Sequence, residues 1–221
     1  DRVGIVGLGG TGSYILDLVA KTPVREIHLF DGDRFSQHNA FRAPGAASLQ
    51  DLRDAPQKVD YLRTQYSRMH RRITAHNGFV DGSNVSQLHG MTFVFLCLDD
   101  GEAKRPIVAD LETMGIPFID VGMGLQCVDE KLYGIVRVTT STPTQRGHVH
   151  EKGRIPFTGG GTNEYSKNIQ IADLNALNAA LAVIKWKKLR GFYADLEHEH
   201  FAAYTIDGND MTNEDKQCPP V

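Results

Sequence analysis

The sequence predicts an α/β protein with a Rossmann-like, doubly wound, mainly parallel sheet and flanking helices. Short apolar runs alternate with longer amphipathic segments along the 221 residues, which is typical of βα units. The first run leads directly into a glycine-rich loop and a helical pattern. Folds with this arrangement bind nucleotides at the carboxyl ends of their strands.

Six apolar runs predict strands, and four segments with apolar residues at helical spacing predict helices. The predicted strands cover residues 3–6, 26–30, 93–98, 117–121, 134–139 and 204–206. The predicted helices cover residues 11–21, 56–70, 102–114 and 169–192.

The predicted domain boundaries lie where the helical and strand periodicity of the apolar residues ends. Residues 1–208 form one predicted domain, with a crossover loop over about residues 140–168 that is long enough to indicate a functional role. Residues 209–221 are polar and predict a C-terminal tail. The first strand begins at once after Asp1, with no initiator Met, so we expect an N-terminal domain that is absent from this chain.

The composition excludes several classes of function. The chain carries 24 Lys and Arg against 27 Asp and Glu, a net charge of −3, which argues against a nucleic-acid partner because such proteins usually carry a basic excess. No apolar run approaches the roughly 18 residues that cross a bilayer, so no membrane partner is expected. The odd number of three cysteines favours a reducing compartment, and we expect a cytoplasmic protein.

The strongest local motif is the stretch Gly-Leu-Gly-Gly-Thr-Gly-Ser at residues 7–13. A first glycine permits a tight turn, a second lets the backbone approach a phosphate, and a third allows close packing of helix on strand. The helix N-terminus that follows attracts an anion. The motif predicts nucleotide binding through Gly7, Gly9, Gly10 and Gly12.

The residues after the second predicted strand narrow the choice of nucleotide. Asp31 lies 19 positions after Gly12, where an acidic residue that binds a ribose is expected, and by itself it would suggest an NAD-dependent oxidoreductase. Asp33, Asn39 and Arg42 follow within twelve positions of the chain. Hydride transfer needs no such cluster, whereas Arg42 and Asn39 suit a triphosphate. Asn39 as a cap of a turn and Arg42 as a solvated side chain remain the alternatives.

These motifs together resemble the E1/ThiF/MoeB-like adenylating family, over nearly the whole chain. The resemblance rests on the doubled glycine of the loop, on Asp-x-Asp followed by Asn and Arg, on Lys58 after a Pro, and on an Asp that ends a later strand. It is closest to bacterial members found beside ubiquitin-like and E2-like partners. The Gln that often follows the family's Arg is Ala43 here.

The resemblance implies a role for each site residue. Asp31 would hold the ribose of ATP, with Asp33 beside it, and Asn39, Arg42 and Lys58 would hold the phosphates. Asp99 would bind Mg²⁺, with Asp100 as the alternative, because counting from Cys97 favours Asp99 and counting back from Arg105 favours Asp100.

The resemblance also implies the reaction and the partners. The carboxylate of a C-terminal glycine on a ubiquitin-like protein would attack the α-phosphorus of ATP, giving an acyl-adenylate and pyrophosphate, with possible onward transfer to a thiol of an E2-like acceptor. Adenylation of a sulfur-carrier protein for thiamine or molybdopterin synthesis is the alternative within the family. NAD-dependent oxidoreduction is the alternative outside it. Family members of this kind also suggest a homodimer.

The cysteines leave the thiol step open. Cys97 lies in an apolar strand and is expected in the core, Cys127 is a weak candidate for a nucleophile, and Cys218 lies in the predicted tail. Another predicted strand ends at Gly122 and Gly124. The resemblance implies that the tail of the carrier protein passes this side of the nucleotide, where two small residues would leave it room, and glycines in a turn at the strand end are the alternative. Asp120 beside this turn would bind the metal or cap the turn.

Overall fold

The computed structural model describes residues 1–158 and 171–217. Their strands form one eight-stranded sheet in the order β3-β2-β1-β4-β5-β6-β7-β8. Neighbours from β3 to β5 pair in parallel, and neighbours from β5 to β8 pair antiparallel. The strands are β1 (Arg2–Val6), β2 (Glu26–Asp31), β3 (Ile73–Asn77), β4 (Phe93–Leu96), β5 (Phe118–Val128), β6 (Lys131–Ser141), β7 (Phe201–Thr205) and β8 (Asp210–Glu214).

Helices cover both faces of the sheet, so the predicted doubly wound α/β fold is confirmed. On one face α1, α4 and α7 bury their apolar side chains against β1, β2 and β4. On the other face α5 and α6 pack on the same strands. The helices are α1 (Gly10–Ala20), α2 (Gln37–Ala40), α3 (Leu49–Asp54), α4 (Lys58–Tyr66), α5 (Gly101–Thr113), α6 (Gly147–Glu151) and α7 (Ala172–Leu189).

The third strand of the chain was not predicted. The segment Ile73–Asn77 pairs with β2 as an edge strand, and only its first residue is buried. A strand with so little buried surface carries no apolar run, and its partner strand decides that it forms.

The turn predicted at Gly122 and Gly124 is wrong. The strand β5 continues through both glycines to Val128 and pairs with β6 as a long hairpin, in which Gly122 lies opposite Arg137. Glycine usually weakens a strand, but it is tolerated where another group approaches the backbone closely. The Arg137 guanidinium is that group, because a Cβ atom on Gly122 would lie 2.2 Å from its nitrogen.

Two further expectations about the C-terminal part need correction. The predicted tail begins too early, because Asp210–Glu214 forms β8 and completes the sheet against β7. The expected loop at about residues 140–168 contains the end of β6 and the short helix α6. Residues 159–170, the rest of that loop and the start of the predicted fourth helix, lie outside the described part.

The glycine loop predicts a sharp contrast in stability between two neighbouring positions. A Cβ atom on Gly12 would lie 2.0 Å from the carbonyl oxygen of Gly7, whereas one on Gly9 would meet nothing within 4 Å. We expect Gly12→Ala to lower the free energy of unfolding by about 2 kcal/mol or more, because overpacking against backbone forces the chain to move. Gly9→Ala should change it by less than about 0.5 kcal/mol. Urea denaturation measures both, and equal losses would contradict the loop geometry.

Two histidines with lowered pKa values, His148 in α6 and His200 just before β7, lead us to expect that acid destabilises the protein. Burial lowers the pKa of His200 to about 4 and also lowers the pKa of His148. Between the ordinary pKa of about 6.5 and pH of about 4, the unfolded chain binds a proton that the folded protein does not, so the free energy of unfolding falls as the pH falls. Urea denaturation across this range measures the slope. His200→Gln should flatten it, and an unchanged slope would assign the effect to other groups.

Candidate functional site

A cleft of about 560 Å³ opens at the carboxyl ends of the parallel strands. It lies where β1 is flanked by β2 on one side and β4 on the other, which is the topological switch point at which doubly wound folds bind ligands. The lining brings together the glycine loop, the residues after β2, the end of β4, the middle of the β5–β6 hairpin and the start of α7. It includes Gly7, Gly9, Gly10, Thr11, Asp31, Asp33, Arg42, Lys58, Phe79, Cys97, Asp99, Lys104, Gly122, Met123, Arg137, Asn175 and Asn178.

The four glycines of the loop differ in their backbone conformation and in the groups they contact. Gly7 adopts a positive φ of 87°, and Gly12 lies against the Gly7 carbonyl. Gly10 touches α7, because a Cβ atom there would lie 2.4 Å from the Asn175 side chain. Gly9 alone faces open space in the cleft.

The first turn of α1 borders the cleft, where Gly10 and Thr11 belong to the lining. The residue that precedes the helix, Gly9, provides no side-chain cap, so the N–H groups of the first turn are not satisfied by one. A helix N-terminus of this kind, reached over a glycine without a Cβ atom, is a site for a phosphate.

Asp31 joins the glycine loop to the segment after β2. One carboxylate oxygen accepts a hydrogen bond from Leu8 N at 2.7 Å, and the other accepts one from Asp33 N at 2.9 Å. The ammonium group of Lys58, at the start of α4, donates to both oxygens at 3.0 and 3.1 Å. Asp31 and Lys58 are both buried. The Asp31 carboxylate is therefore occupied by protein donors, and its predicted contact with ribose stays a prediction.

Lys58 also reaches a second carboxylate. Its Nζ lies 3.0 Å from an oxygen of Asp33, whose side chain is exposed, in contrast to that of Asp31. The three hydrogens of the ammonium group match these acceptors. The exposed bond to Asp33 is the one that can be exchanged for a ligand at least cost.

Of the two predicted phosphate ligands near α2, the structure places only one in the cleft. Arg42 is part of the lining. Asn39 is buried, does not appear among the described lining residues, and its Oδ1 accepts hydrogen bonds from Ser36 N and Oγ. Asn39 thus caps the turn before α2, which was the alternative that the sequence left open.

The geometry separates the two candidate metal ligands. Asp100 is the N-cap of α5, where its Oδ1 accepts from Glu102 N at 2.9 Å and Ala103 N at 3.2 Å. Asp99 lines the cleft and forms no hydrogen bond with the described residues. Lys104 faces the cleft from α5, and Arg105 does not belong to the described lining. Binding of Mg²⁺ by Asp99 stays a prediction.

Asp99 has few neighbours that could share a metal ion. Within residues 1–158 and 171–217, no group of three or more His, Cys, Asp or Glu side chains is arranged to hold one. A hard cation bound there would take its remaining oxygen ligands from phosphates and water, as Mg²⁺ does in nucleotide sites.

Two cations that line the cleft, Lys104 and Arg137, escaped the sequence reasoning, and both pair with Asp120. Asp120 is completely buried, and its carboxylate pairs with Lys104 Nζ at 2.7 Å and with an Arg137 nitrogen at 3.0 Å. The strand continues past Asp120, so this residue does not cap a turn. The contact of Asp120 with a metal stays a prediction. No local signal in the sequence points to Arg137. The glycine that leaves room for its side chain, Gly122, lies 15 positions away along the chain.

The lining carries more positive than negative charge. The cations Arg42, Lys58, Lys104 and Arg137 face the cleft together with the three carboxylates of Asp31, Asp33 and Asp99. This balance favours an anionic ligand, whose charge would otherwise be repelled by the carboxylates.

The cysteines differ in their environment. Cys97 borders the cleft, and burial raises the pKa of its thiol, with the negative charge of Asp120 adding to the effect. A thiol with a raised pKa is a poor nucleophile at neutral pH. Cys127 is exposed on the β5–β6 hairpin, about 16 Å along the strand from Gly122, and it does not belong to the described lining. Cys218 lies outside the described residues.

None of the described helices combines the length and the apolar character that a membrane crossing requires.

The fold and the cleft define a doubly wound α/β protein with a ligand cleft at its topological switch point, and comparison with known proteins identifies its family. The family model described as the ThiF family matches residues 1–150. The chain belongs to the ThiF family, whose members are E1-like adenylating enzymes. The resemblance found in the motifs is thereby confirmed.

Two curated relatives show the range of this family. The chain is 25% identical over 142 residues to ubiquitin-like modifier-activating enzyme 5 of Culex quinquefasciatus, covering 57% of this chain and 34% of the relative. It is 28% identical over 124 residues to tRNA threonylcarbamoyladenosine dehydratase of Escherichia coli, covering 53% and 44%. The matches thus span less than half of either relative.

Solved structures show the same fold. The microcin C7 biosynthetic enzyme MccB in complex with N-formylated MccA matches with a TM-score of 0.72 and 18% identity, over 100% of this chain and 66% of that one. A structure of Escherichia coli MccB with ATP matches with a TM-score of 0.68 and 16% identity, over 100% and 65%. PaaA matches with a TM-score of 0.70 and 17% identity, over 97% and 64%.

The buried pair of Asp31 and Lys58 predicts a large cost for removing one partner. Lys58→Met should lower the free energy of unfolding by about 3–5 kcal/mol, because it leaves a buried carboxylate without its cation. The double substitution Asp31→Asn with Lys58→Met should cost less than the sum of the single changes. Lys21→Met, which breaks the exposed pair with Asp17, is the control and should cost about 0–1 kcal/mol. If Lys58→Met costs no more than this control in urea denaturation, Lys58 does not support the loop.

Proposed function

We propose that this chain catalyses the ATP-dependent adenylation of the C-terminal glycine carboxylate of a ubiquitin-like protein, with release of pyrophosphate. The observation that carries the proposal is the cleft of this ThiF-family chain. At the carboxyl ends of the strands, the glycine loop and the start of α1 line the same cleft as Arg42, Lys58 and Asp99. The match to an enzyme named for activating a ubiquitin-like modifier supports the choice of substrate.

The residues present fit ATP. Gly9 offers backbone without a side chain next to the first turn of α1, which has no side-chain cap, and this suits phosphate oxygens. Phe79 and Phe30 give the side of the cleft near β2 and β3 an apolar surface, which suits an adenine ring. Asp99 would hold Mg²⁺, which supplies neutralising charge to the phosphates when bound.

The reaction joins two anions, and the chain's task is to bring them together. A carboxylate oxygen of the substrate forms a bond to the α-phosphorus. The bond from that phosphorus to the bridging oxygen breaks, and its electron pair leaves with pyrophosphate. No proton needs to move, so no general base is required. Arg42, a fork of N–H donors, neutralises the phosphates. Lys58, fixed by Asp31, holds them in line once its bond to the exposed Asp33 is exchanged for a phosphate oxygen.

We place the acceptor thiol of any onward transfer on a partner protein of the E2-like kind. Among the described residues, Cys97 has a raised thiol pKa and Cys127 lies along the hairpin away from the cleft. Cys127 therefore stays a weak candidate. A homodimer, as in similar enzymes, is part of the same proposal.

The sulfur-carrier alternative has the same chemistry and differs only in the carrier. Both substrates end in glycine and present the same carboxylate to the cleft. Carrier proteins of the two types, tested side by side, separate the alternatives.

The proposal predicts pyrophosphate exchange that depends on the carrier and on named side chains. Exchange of labelled pyrophosphate into ATP should appear only when a carrier that ends in glycine is added. Arg42→Ala and Asp99→Asn should each reduce its rate by about a hundredfold or more, because loss of one preorganised charge partner costs about 3 kcal/mol in the transition state.

Matched controls separate charge in the cleft from charge elsewhere. Asp100→Asn should retain the wild-type rate, because Asn also caps a helix. Arg72→Gln should do the same, since Arg72 lies on the surface before β3 and pairs with Glu26. Unchanged exchange in both Arg42→Ala and Asp99→Asn would overturn the site assignment. Binding of NAD without binding of ATP would overturn the proposed reaction.

A further inference from the structure

The start of α7 packs directly against the glycine loop. A Cβ atom on Gly10 would lie 2.4, 2.4 and 2.5 Å from Cγ, Oδ1 and Nδ2 of Asn175. Side-chain carbons do not approach other atoms so closely in a packed interior. The Asn175 amide therefore occupies the space that a side chain at position 10 would need.

Two hydrogen bonds fix the orientation of this amide. Thr11 Oγ1 donates to Asn175 Oδ1 at 2.9 Å, although the two residues are 164 positions apart along the chain. Asn175 Nδ2 donates to the carbonyl oxygen of Ile171, the residue before α7, at 2.9 Å. Asn175 is buried, and a flipped amide would place its oxygen against the Ile171 carbonyl, which is also an acceptor. Asn175 is therefore a fixed link between α7 and the first turn of α1.

This link reaches the part of the cleft to which we assign the phosphates. Gly10 and Thr11 are the first two residues of α1, and both line the cleft. The backbone N–H groups at the start of a helix have no partner within the helix, and they bind an anion where they point towards it. The contacts that fix Gly10 and Thr11 therefore also fix the geometry of a phosphate site.

The two adjacent glycines of the loop leave room for different neighbours. A Cβ atom on Gly9 would meet nothing within 4 Å, so this position is open to a ligand. The three atoms nearest to a Cβ atom on Gly10 all belong to Asn175. The glycine motif by itself attributes small residues in this loop to the approach of a phosphate or to packing on the strand. At Gly10 the close neighbour comes from α7 instead.

We propose that Asn175 is a positioning residue for the phosphates of the nucleotide. It acts through Gly10 and Thr11 and holds the first turn of α1 in the orientation that binds them. This inference rests on the proposed function. Gly10 leaves room for Asn175 rather than for the ligand, and the phosphate site depends on a helix from the C-terminal half of the chain.

The first test measures by calorimetry the affinity of the chain for a non-hydrolysable ATP analogue with Mg²⁺. Asn175→Ala and Thr11→Val should each weaken binding by about three- to tenfold. Each variant loses the hydrogen bond between the helices, so the first turn of α1 spends part of its time outside the binding orientation. The double variant should bind no more weakly than the weaker single variant. Thr11→Ser keeps the hydroxyl group and should retain the wild-type affinity.

The second test separates two explanations for Gly10. Gly10→Ala should weaken binding of the analogue by about tenfold or more, because its methyl group would overlap with the Asn175 amide. Asn175→Ala removes this collision, so adding Gly10→Ala to it should change the affinity by less than about twofold. If Gly10 leaves room for a phosphate, Gly10→Ala will be equally harmful in both backgrounds, and the inference is overturned.

Kinetics and a matched control distinguish positioning from a general loss of stability. In carrier-dependent pyrophosphate exchange, Asn175→Ala should raise the KM for ATP by the same factor as the Kd of the analogue. The rate at saturating ATP should change by less than about twofold, because bound phosphates restore the turn. Val183 is buried on α7 and does not belong to the described lining. Val183→Ala should therefore lower the stability in urea without changing the affinity.

The inference and the proposed function fail in different ways. The inference is overturned if Asn175→Ala binds the analogue like the wild type, if the effects of Thr11→Val and Asn175→Ala add, or if Val183→Ala weakens binding as much. If exchange requires Arg42 and Asp99 but Asn175→Ala leaves the KM unchanged, only the inference fails. If the binding results hold and no carrier supports exchange, the proposed reaction fails and the role of Asn175 stands. A wild-type chain that does not bind the analogue overturns both.

Discussion

The carboxylate of Asp31 is the interaction on which the rest of the cleft depends. It accepts a hydrogen bond from the glycine loop through Leu8 N, one from Asp33 N, and two from Lys58. These donors come from the loop after β1, the loop after β2 and the start of α4. A charged acceptor that is buried cannot be left without them, so the three segments are fixed relative to one another. Without that constraint, the phosphate-facing backbone at Gly9 and the cation of Lys58 would not face the same space.

The parallel and antiparallel parts of the sheet form different walls of the cleft. The parallel strands β1, β2 and β4 end together and present the glycine loop, Asp31 and Asp99 at one edge. From β5 onwards the pairing is antiparallel, and the hairpin with β6 runs past the carboxyl ends of the parallel strands. It thereby adds a second wall to the cleft. The two walls of the cleft are thus built by two different kinds of strand pairing in one sheet.

Charge is distributed unevenly along this cleft. At one end Lys58 is held by two carboxylates, and at the other end Asp120 is held by two cations. The two clusters are opposite in charge, with an excess carboxylate after β2 and an excess cation at the β5–β6 hairpin. Charges that are already fixed in a partly buried site can orient a bound ligand, because they need no reorganisation when it arrives. This arrangement also agrees with a reaction between two anions, in which neutralisation and positioning supply most of the catalysis.

The sequence by itself determined the α/β fold, the glycine loop, the four main helices in outline and the family, because these depend on local patterns such as glycine spacing and helical periodicity. It also named Arg42, Lys58 and Asp99, which face the cleft, but it could not choose between Asp99 and Asp100 or between a ligand and a cap at Asn39. Those choices depend on where the side chains point. The edge strands β3 and β8, the continuation of β5 through Gly122, and the cluster of Lys104, Asp120 and Arg137 were decided only by the tertiary structure. Their partners are distant along the chain, and neither a half-exposed edge strand nor a buried ion pair leaves a periodic signal in the residues that form it.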